Sequence, residues 1–94
     1  MKVELSARPK LAKRAKLRLD RKTGEHVLLY PEKGLLLNKT SAAIARLCTG
    51  ERSVNEMIVE LARDFGENDP TRLEREVLEF LSALAERGLL AESA

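Results

Sequence analysis

The sequence predicts an α+β domain of winged helix-turn-helix-like form, a three-stranded antiparallel sheet followed by three α-helices. Three observations carry that prediction. Short apolar runs punctuated by Gly-containing turns fill residues 16–38. Apolar residues at helical spacing, bracketed by start and stop signals, fill residues 40–88. The chain has 94 residues, 44% hydrophobic and 34% charged, which suits one core with a wet surface and no second domain.

Residues 1–15 hold five Lys/Arg against one acid and little apolar periodicity. They read as a basic N-terminal arm, either mobile or docking late, and residues 16–92 as the single domain. In KLRLD, Leu17 and Leu19 share one face, with Lys16, Arg18 and Asp20 on the other. Arg21-Lys22-Thr23-Gly24 reads as a turn, with Gly24 free to take positive φ. EHVLLYP gives a second strand, stopped by Pro31, which cannot donate to a ladder. Glu32-Lys33-Gly34 reads as a second turn, and Leu35-Leu36-Leu37 as a third strand ending at Asn38.

Strands two and three do not alternate cleanly. Leu28, Tyr30 and Leu36 are expected on the outer side of the sheet, together with His26. Such a surface needs a cover: the arm, a second copy of the chain, or a ligand.

Residues 40–48 read as a short helix with Ile44, Leu47 and Cys48 on one face. Asn38, Thr40 or Ser41 supplies its cap, and Thr49-Gly50 ends it, with Gly50 at the C′ position. Ser53-Val54-Asn55-Glu56 is a capping box, followed by an apolar stripe of Val54, Met57, Ile58, Leu61 and Phe65. Asp69-Pro70 opens a third helix whose core stripe is Leu73, Val77, Phe80 and Leu84. Gly88 ends it, and Leu89-Leu90 folds back as an apolar anchor. Leu78, Leu81 and Ala85 form a second flank, either buried or lining a groove.

The net charge of +2 conceals an asymmetry. Residues 1–40 hold eleven Lys/Arg against four acids, net +7, and residues 41–94 six against eleven, net −5. Either the two halves attract one another or they face different partners. No apolar run approaches the ~18 residues of a membrane span. The opening MKVELSARPK lacks the apolar stretch of a secretory signal, so the cytoplasm is expected.

Catalysis finds little support. His26 is the only histidine and Cys48 the only cysteine. Neither a GxGxxG nor a GxxxxGK[ST] phosphate cradle occurs. A non-enzyme without cofactor or metal is expected. Three aromatic residues, none of them Trp, make a poor base-stacking platform. The exposed faces of the second and third helices are acidic overall and would repel phosphates, so any DNA role would run through the basic stretch 8–22. Protein or peptide binding fits best. If residues 33–38 form an exposed edge, a partner's strand can pair there, and the flank at Leu78, Leu81 and Ala85 can close the groove.

Three segments carry a family resemblance. VLLYPEKGLLLN at 27–38, TSAAIARLCTGERSVNEMIVELA at 40–62 and EFLSALAERGLL at 79–90 resemble the PqqD family of small peptide chaperones in pyrroloquinoline quinone (PQQ) biosynthesis. Pro9, Leu11 and LRLD at 17–20 match the family's lead-in. Leu28 to Glu32 and Leu37-Asn38 are the most specific part. Thr49-Gly50, Glu76-Val77 and Ala15 depart mildly from the family pattern, which leaves room for a sister member serving another peptide pathway.

The resemblance implies a winged-helix-like domain that does no chemistry itself. It would bind the ribosomal precursor peptide PqqA and present it to the radical SAM enzyme PqqE, which links a glutamate and a tyrosine within the peptide. It also implies that the peptide adds beside the third strand, at Leu35, Leu36 and Leu37. On the third helix the peptide would lie against Arg75, Leu78 and Leu81. The alternatives are a precursor-recognition module of another such pathway, or a non-catalytic winged-helix protein that dimerises or binds DNA.

Overall fold

The computed structural model describes residues 3–30, 33–67 and 69–91. In chain order these form β1 (Lys10–Leu11), β2 (Lys16–Leu19), β3 (His26–Tyr30) and β4 (Lys33–Leu37), then α1 (Lys39–Leu47), α2 (Val54–Phe65), α3 (Pro70–Glu86) and β5 (Leu90–Ala91). Strands β2, β3 and β4 make the expected antiparallel sheet in that order. A second small sheet, absent from the sequence reading, joins β1 to β5.

The hairpin register corrects the phase of β3. Tyr30 pairs with Lys33, so Leu28 stands opposite Leu35 and Val27 opposite Leu36. Directly paired residues share a face. Leu28, Tyr30, Leu35 and Leu37 therefore face the helices, and Leu28 is fully buried. Val27, Leu29 and Leu36 occupy the outer side, where Leu28 and Tyr30 were expected. His26 also lies on the helix-facing side, opposite Leu37 and Leu19. The error arises because apolar residues on both sides of a strand erase the period-2 signal, and only the register restores it. Lys33 and Gly34, read as a turn, belong to β4; Glu32 of that expected turn and Pro31, the expected strand stop, lie outside the described residues.

The first turn follows from Asp20, whose carboxylate accepts from the Lys22 N–H at 2.9 Å while Gly24 takes φ +76°. Each helix starts at a side-chain cap. Asn38 Oδ1 accepts from Ser41 N at 2.8 Å for α1. Ser53 and Glu56 form the capping box of α2, with N···O distances of 3.1 and 2.9 Å. The hydrogen bonds from Ser53 hold the Glu56 carboxyl below its ordinary range. Asp69 caps α3 and Pro70 follows at its first position. Gly66, in the left-handed region, closes α2, and Leu89 turns back into the core after Gly88. Gly50 plays no such role: its N–H donates to Pro9 C=O at 2.9 Å.

The core corrects two further expectations. Leu81 is fully buried and belongs with Leu73, Val77 and Leu84, whereas Phe80 is only half-buried. On a helix Leu81 stands only about 40° from Val77, close enough to share its stripe. Phe65, at the end of α2, is exposed rather than core.

The stretch read as a basic arm runs along the helices in this structure. Leu5 and Ala7 carbonyls accept the first free N–H groups of α2, those of Asn55 and Val54, at 3.0 and 2.8 Å. Leu11 N–H donates to Cys48 C=O at 3.0 Å, and Ala12 N–H to Leu89 C=O at 2.8 Å. Arg14 reaches Gly88 C=O at 2.8 Å. Val3, Ala7 and Leu11 pack against the helical core. The arm therefore leaves the outer side of the sheet bare. Between the halves Arg8 lies close enough to Glu56 to favour its charged form, while among the described residues both ion pairs, Arg52–Glu60 and Arg72–Glu76, lie within the helical half.

Candidate functional site

Strand β4 is an edge, paired with β3 on one side only among the described residues. Its register fixes which groups point outward. Tyr30 and Lys33 close the hairpin and so must exchange hydrogen bonds directly, after which bonded and non-bonded pairs alternate. Lys33, Leu35 and Leu37 thus spend their backbone groups on β3. Gly34 and Leu36 turn their N–H and C=O groups to the open edge. An extended chain alongside would find a donor and an acceptor at each.

The strand then runs into two depressions that share Asn38 and Ser41. One, of about 410 Å³, is lined by Asn38, Thr40, Ser41, Ile44, Glu76, Glu79 and Phe80. It separates the start of α1 from one flank of α3, a wall that carries Glu79 and, paired with Arg72 at 3.5 Å, Glu76. The other, of about 760 Å³, includes Leu36, Leu37, His26, Lys39 and Arg46.

The residues singled out from the sequence divide into three groups. Leu35 is half-buried and Leu36 is 63% exposed, so both are at or near the edge. Leu37 (5% exposed) and Leu81 (0%) are core residues that support the edge and α3 from beneath. Leu78 is half-buried on the flank of α3 away from Glu76, and Arg75 is exposed on the solvent face, one turn before Glu79. The sequence reading missed Glu76, Glu79 and Phe80, because apolar periodicity directs attention to aliphatic flanks. The available signal was position: these residues sit about one turn apart, on the side of the core stripe away from Leu78.

The cysteine offers no reactive centre. Cys48 is buried, its Sγ donates to Ile44 C=O at 3.3 Å, and burial pushes its thiol up to about 12. Among the described residues no group of three or more His, Cys, Asp or Glu could hold a metal ion. No described helix is long and apolar enough to cross a membrane.

Comparisons with known proteins converge on one family. Residues 25–90 match the family model described as Coenzyme PQQ synthesis protein D (PqqD). A PqqA binding protein of Rhodopseudomonas palustris (strain BisB5) is 35% identical over 91 residues, 97% of this chain and 88% of that protein. A PqqA binding protein of Azotobacter vinelandii is 44% identical over 62 residues, 66% of this chain and 65% of that protein. Among solved structures, the chain is similar to the solution structure of the PqqD truncation of Methylobacterium extorquens PqqCD. That protein is described as a functional, stand-alone recognition element for a ribosomally synthesised, post-translationally modified peptide. The TM-score is 0.81 and the identity 29%, covering 96% of this chain and 95% of that one. With the sheet, the three helices and the sequence agreeing over nearly its whole length, the chain belongs to the PqqD family.

Proposed function

We propose that this protein binds the precursor peptide PqqA of PQQ biosynthesis as an added strand on β4 and presents it to PqqE. The observation that carries the reading is the open edge at Gly34 and Leu36, in a chain whose relatives are PqqA binding proteins. Backbone pairing gives affinity that tolerates peptide sequence, and side-chain contacts add selection. Leu35 and Leu36 meet the peptide, and Leu37 and Leu81 hold the edge and α3 in place. Leu78 takes a segment crossing to the far flank of α3, past the exposed Arg75. Past Asn38, Glu79 on the α3 wall favours a peptide segment that carries positive charge, Glu76 being paired with Arg72. The protein acts in the cytoplasm as a non-catalytic carrier. A disordered precursor loses chain entropy on binding, and joint docking with the enzyme offsets this by raising its effective concentration there.

The test is a backbone amide shift map on titration with synthetic PqqA. Shifts concentrated at 33–41 and 75–81 are expected. A map that leaves 33–38 unmoved while the peptide binds overturns the strand-addition reading.

A further inference from the structure

The apolar stripe of α2 runs on past the core it packs into. Val54, Met57, Ile58 and Leu61 are buried, but Phe65, one turn further, is 39% exposed. Its ring lines a third depression, of about 230 Å³, where the end of α2 meets the starts of α1 and α3. The buried Leu73 lines it too. The charged groups of the rim are already engaged. Glu67 Oε1 accepts from the Asp69 N–H at 3.1 Å, and Arg72 lies 3.5 Å from Glu76. What this hollow offers a newcomer is therefore apolar, the Phe65 ring together with Leu73. Nor is the hollow isolated. It shares Thr40 and Glu76 with the depression between α1 and α3, which shares Asn38 and Ser41 with the one at the end of β4. A chain leaving the β4 edge at Leu36 finds one continuous path, around the start of α1 and past Glu79, to Phe65.

We infer that this hollow is a subsite for one apolar side chain of the precursor peptide, carried by the segment beyond the added strand, and that Phe65 receives it. The inference rests on the reading of β4 as the peptide edge. Continuity of the path selects the occupant, and size excludes a second copy of the chain. A stable dimer buries about 800 Å² on each partner. A hollow of about 230 Å³ admits a side chain and not a folded face. Aromatic rings carry much of the apolar contact at interface centres, and this one already stands half in the open. The subsite supplies what backbone pairing lacks. An open strand edge accepts many sequences, whereas this path asks for a particular order: a strand, then positive charge at Glu79, then an apolar side chain at Phe65.

The test uses the isotope-labelled full chain with unlabelled synthetic PqqA. Filtered nuclear Overhauser spectra of the complex are expected to join the Phe65 ring to an apolar side chain of the peptide. That peptide residue lies outside the segment in contact with Leu36. In calorimetric titration Phe65→Ser is expected to weaken PqqA binding by about fivefold to tenfold, while Phe65→Leu, which keeps an apolar surface, stays within about twofold. Circular dichroism checks that both variants fold, and if Phe65→Ser does not, the wild-type cross-peaks decide alone. Peptide cross-peaks at Leu36 with none at Phe65 overturn the subsite and leave the added strand standing. Cross-peaks at Phe65 with none along β4 uphold the subsite and count against the added strand. Unchanged PqqA affinity of a folded Phe65→Ser variant overturns the subsite. So does a wild-type dimer in light scattering that Phe65→Ser converts to monomer, since the ring then seats a second copy.

Discussion

On the β2 edge, Leu17 and Leu19 turn their backbone groups outward, and Lys16 and Arg18 stand beside them on the outer side of the sheet. On the β4 edge, Gly34 and Leu36 turn theirs outward and themselves supply the side chains of that side, a hydrogen and an aliphatic group. Charged side chains along an edge strand discourage a further strand from pairing, since the newcomer must desolvate them. Strand β2 has that protection and β4 has it only at Lys33, where the hairpin begins. Strand β4 also leads into depressions walled by α1 and α3. The same sheet thus keeps one edge closed by chemistry and leaves the other open, which suits a protein that must accept one strand without polymerising.

Both edges depend on the strand between them, so the largest effect is expected at its centre. Leu28 is fully buried, between Leu17 and Leu35 and against a cluster with Ala42, Ala45, Leu84 and Leu89. Leu28→Ala is expected to cost about 2–5 kcal/mol of stability, from lost burial and the cavity left behind. Urea unfolding followed by circular dichroism measures it. A loss under about 1 kcal/mol would mean that the sheet does not share its core with the helices in this way.

The next effect separates the edges. Leu36→Pro removes an N–H that points away from β3, so the hairpin bonds survive and only strand addition suffers. One lost backbone bond and the partner it leaves unsatisfied amount to roughly 2–3 kcal/mol, or about a hundredfold in PqqA affinity. Leu19→Pro makes the matching change at the β2 edge and is expected to alter PqqA affinity by less than about twofold. Calorimetric titration of both variants decides between them, and equal losses would place the peptide on neither edge in particular.

Much of this contrast was legible in the sequence, and the reasons for the remainder are physical. The alternation of charge and leucine at 16–19 marked β2 as a half-solvated strand, and the helix starts were written in Ser53, in Asp69-Pro70 and in a choice of Asn38, Thr40 or Ser41, of which Asn38 is the cap. The phase of β3 was hidden because His26 to Tyr30 carries apolar residues on both sides, and only pairing with β4 decides which set is buried. The β1–β5 pairing was illegible for another reason. Two-residue strands about eighty positions apart leave no local pattern, and their partner is known only once the helices between them have packed. The wall at Glu76 and Glu79 was overlooked because a charged helix flank usually faces water, and its neighbour across the groove, the start of α1, is far away in sequence.

The smallest effect distinguishes backbone from side chain at the open edge. Leu36→Lys gives β4 the pattern that β2 has at Lys16 and Arg18, and it keeps the outward N–H that proline removes. The lysine stem still covers part of Val27 opposite, while its ammonium stays in water and repels a basic peptide segment. The loss is therefore confined to side-chain contact and charge, about 1 kcal/mol, or roughly threefold to tenfold in PqqA affinity. Part of it should disappear as salt is raised, because exposed charges are screened over roughly 10 Å at 0.1 M. The proline variant should show no such recovery, since a missing backbone donor does not depend on ionic strength. If Leu36→Lys instead loses as much as Leu36→Pro, and salt restores none of it, the side chain carries the recognition. The open edge would then be a consequence of the hairpin rather than the means by which the peptide is held.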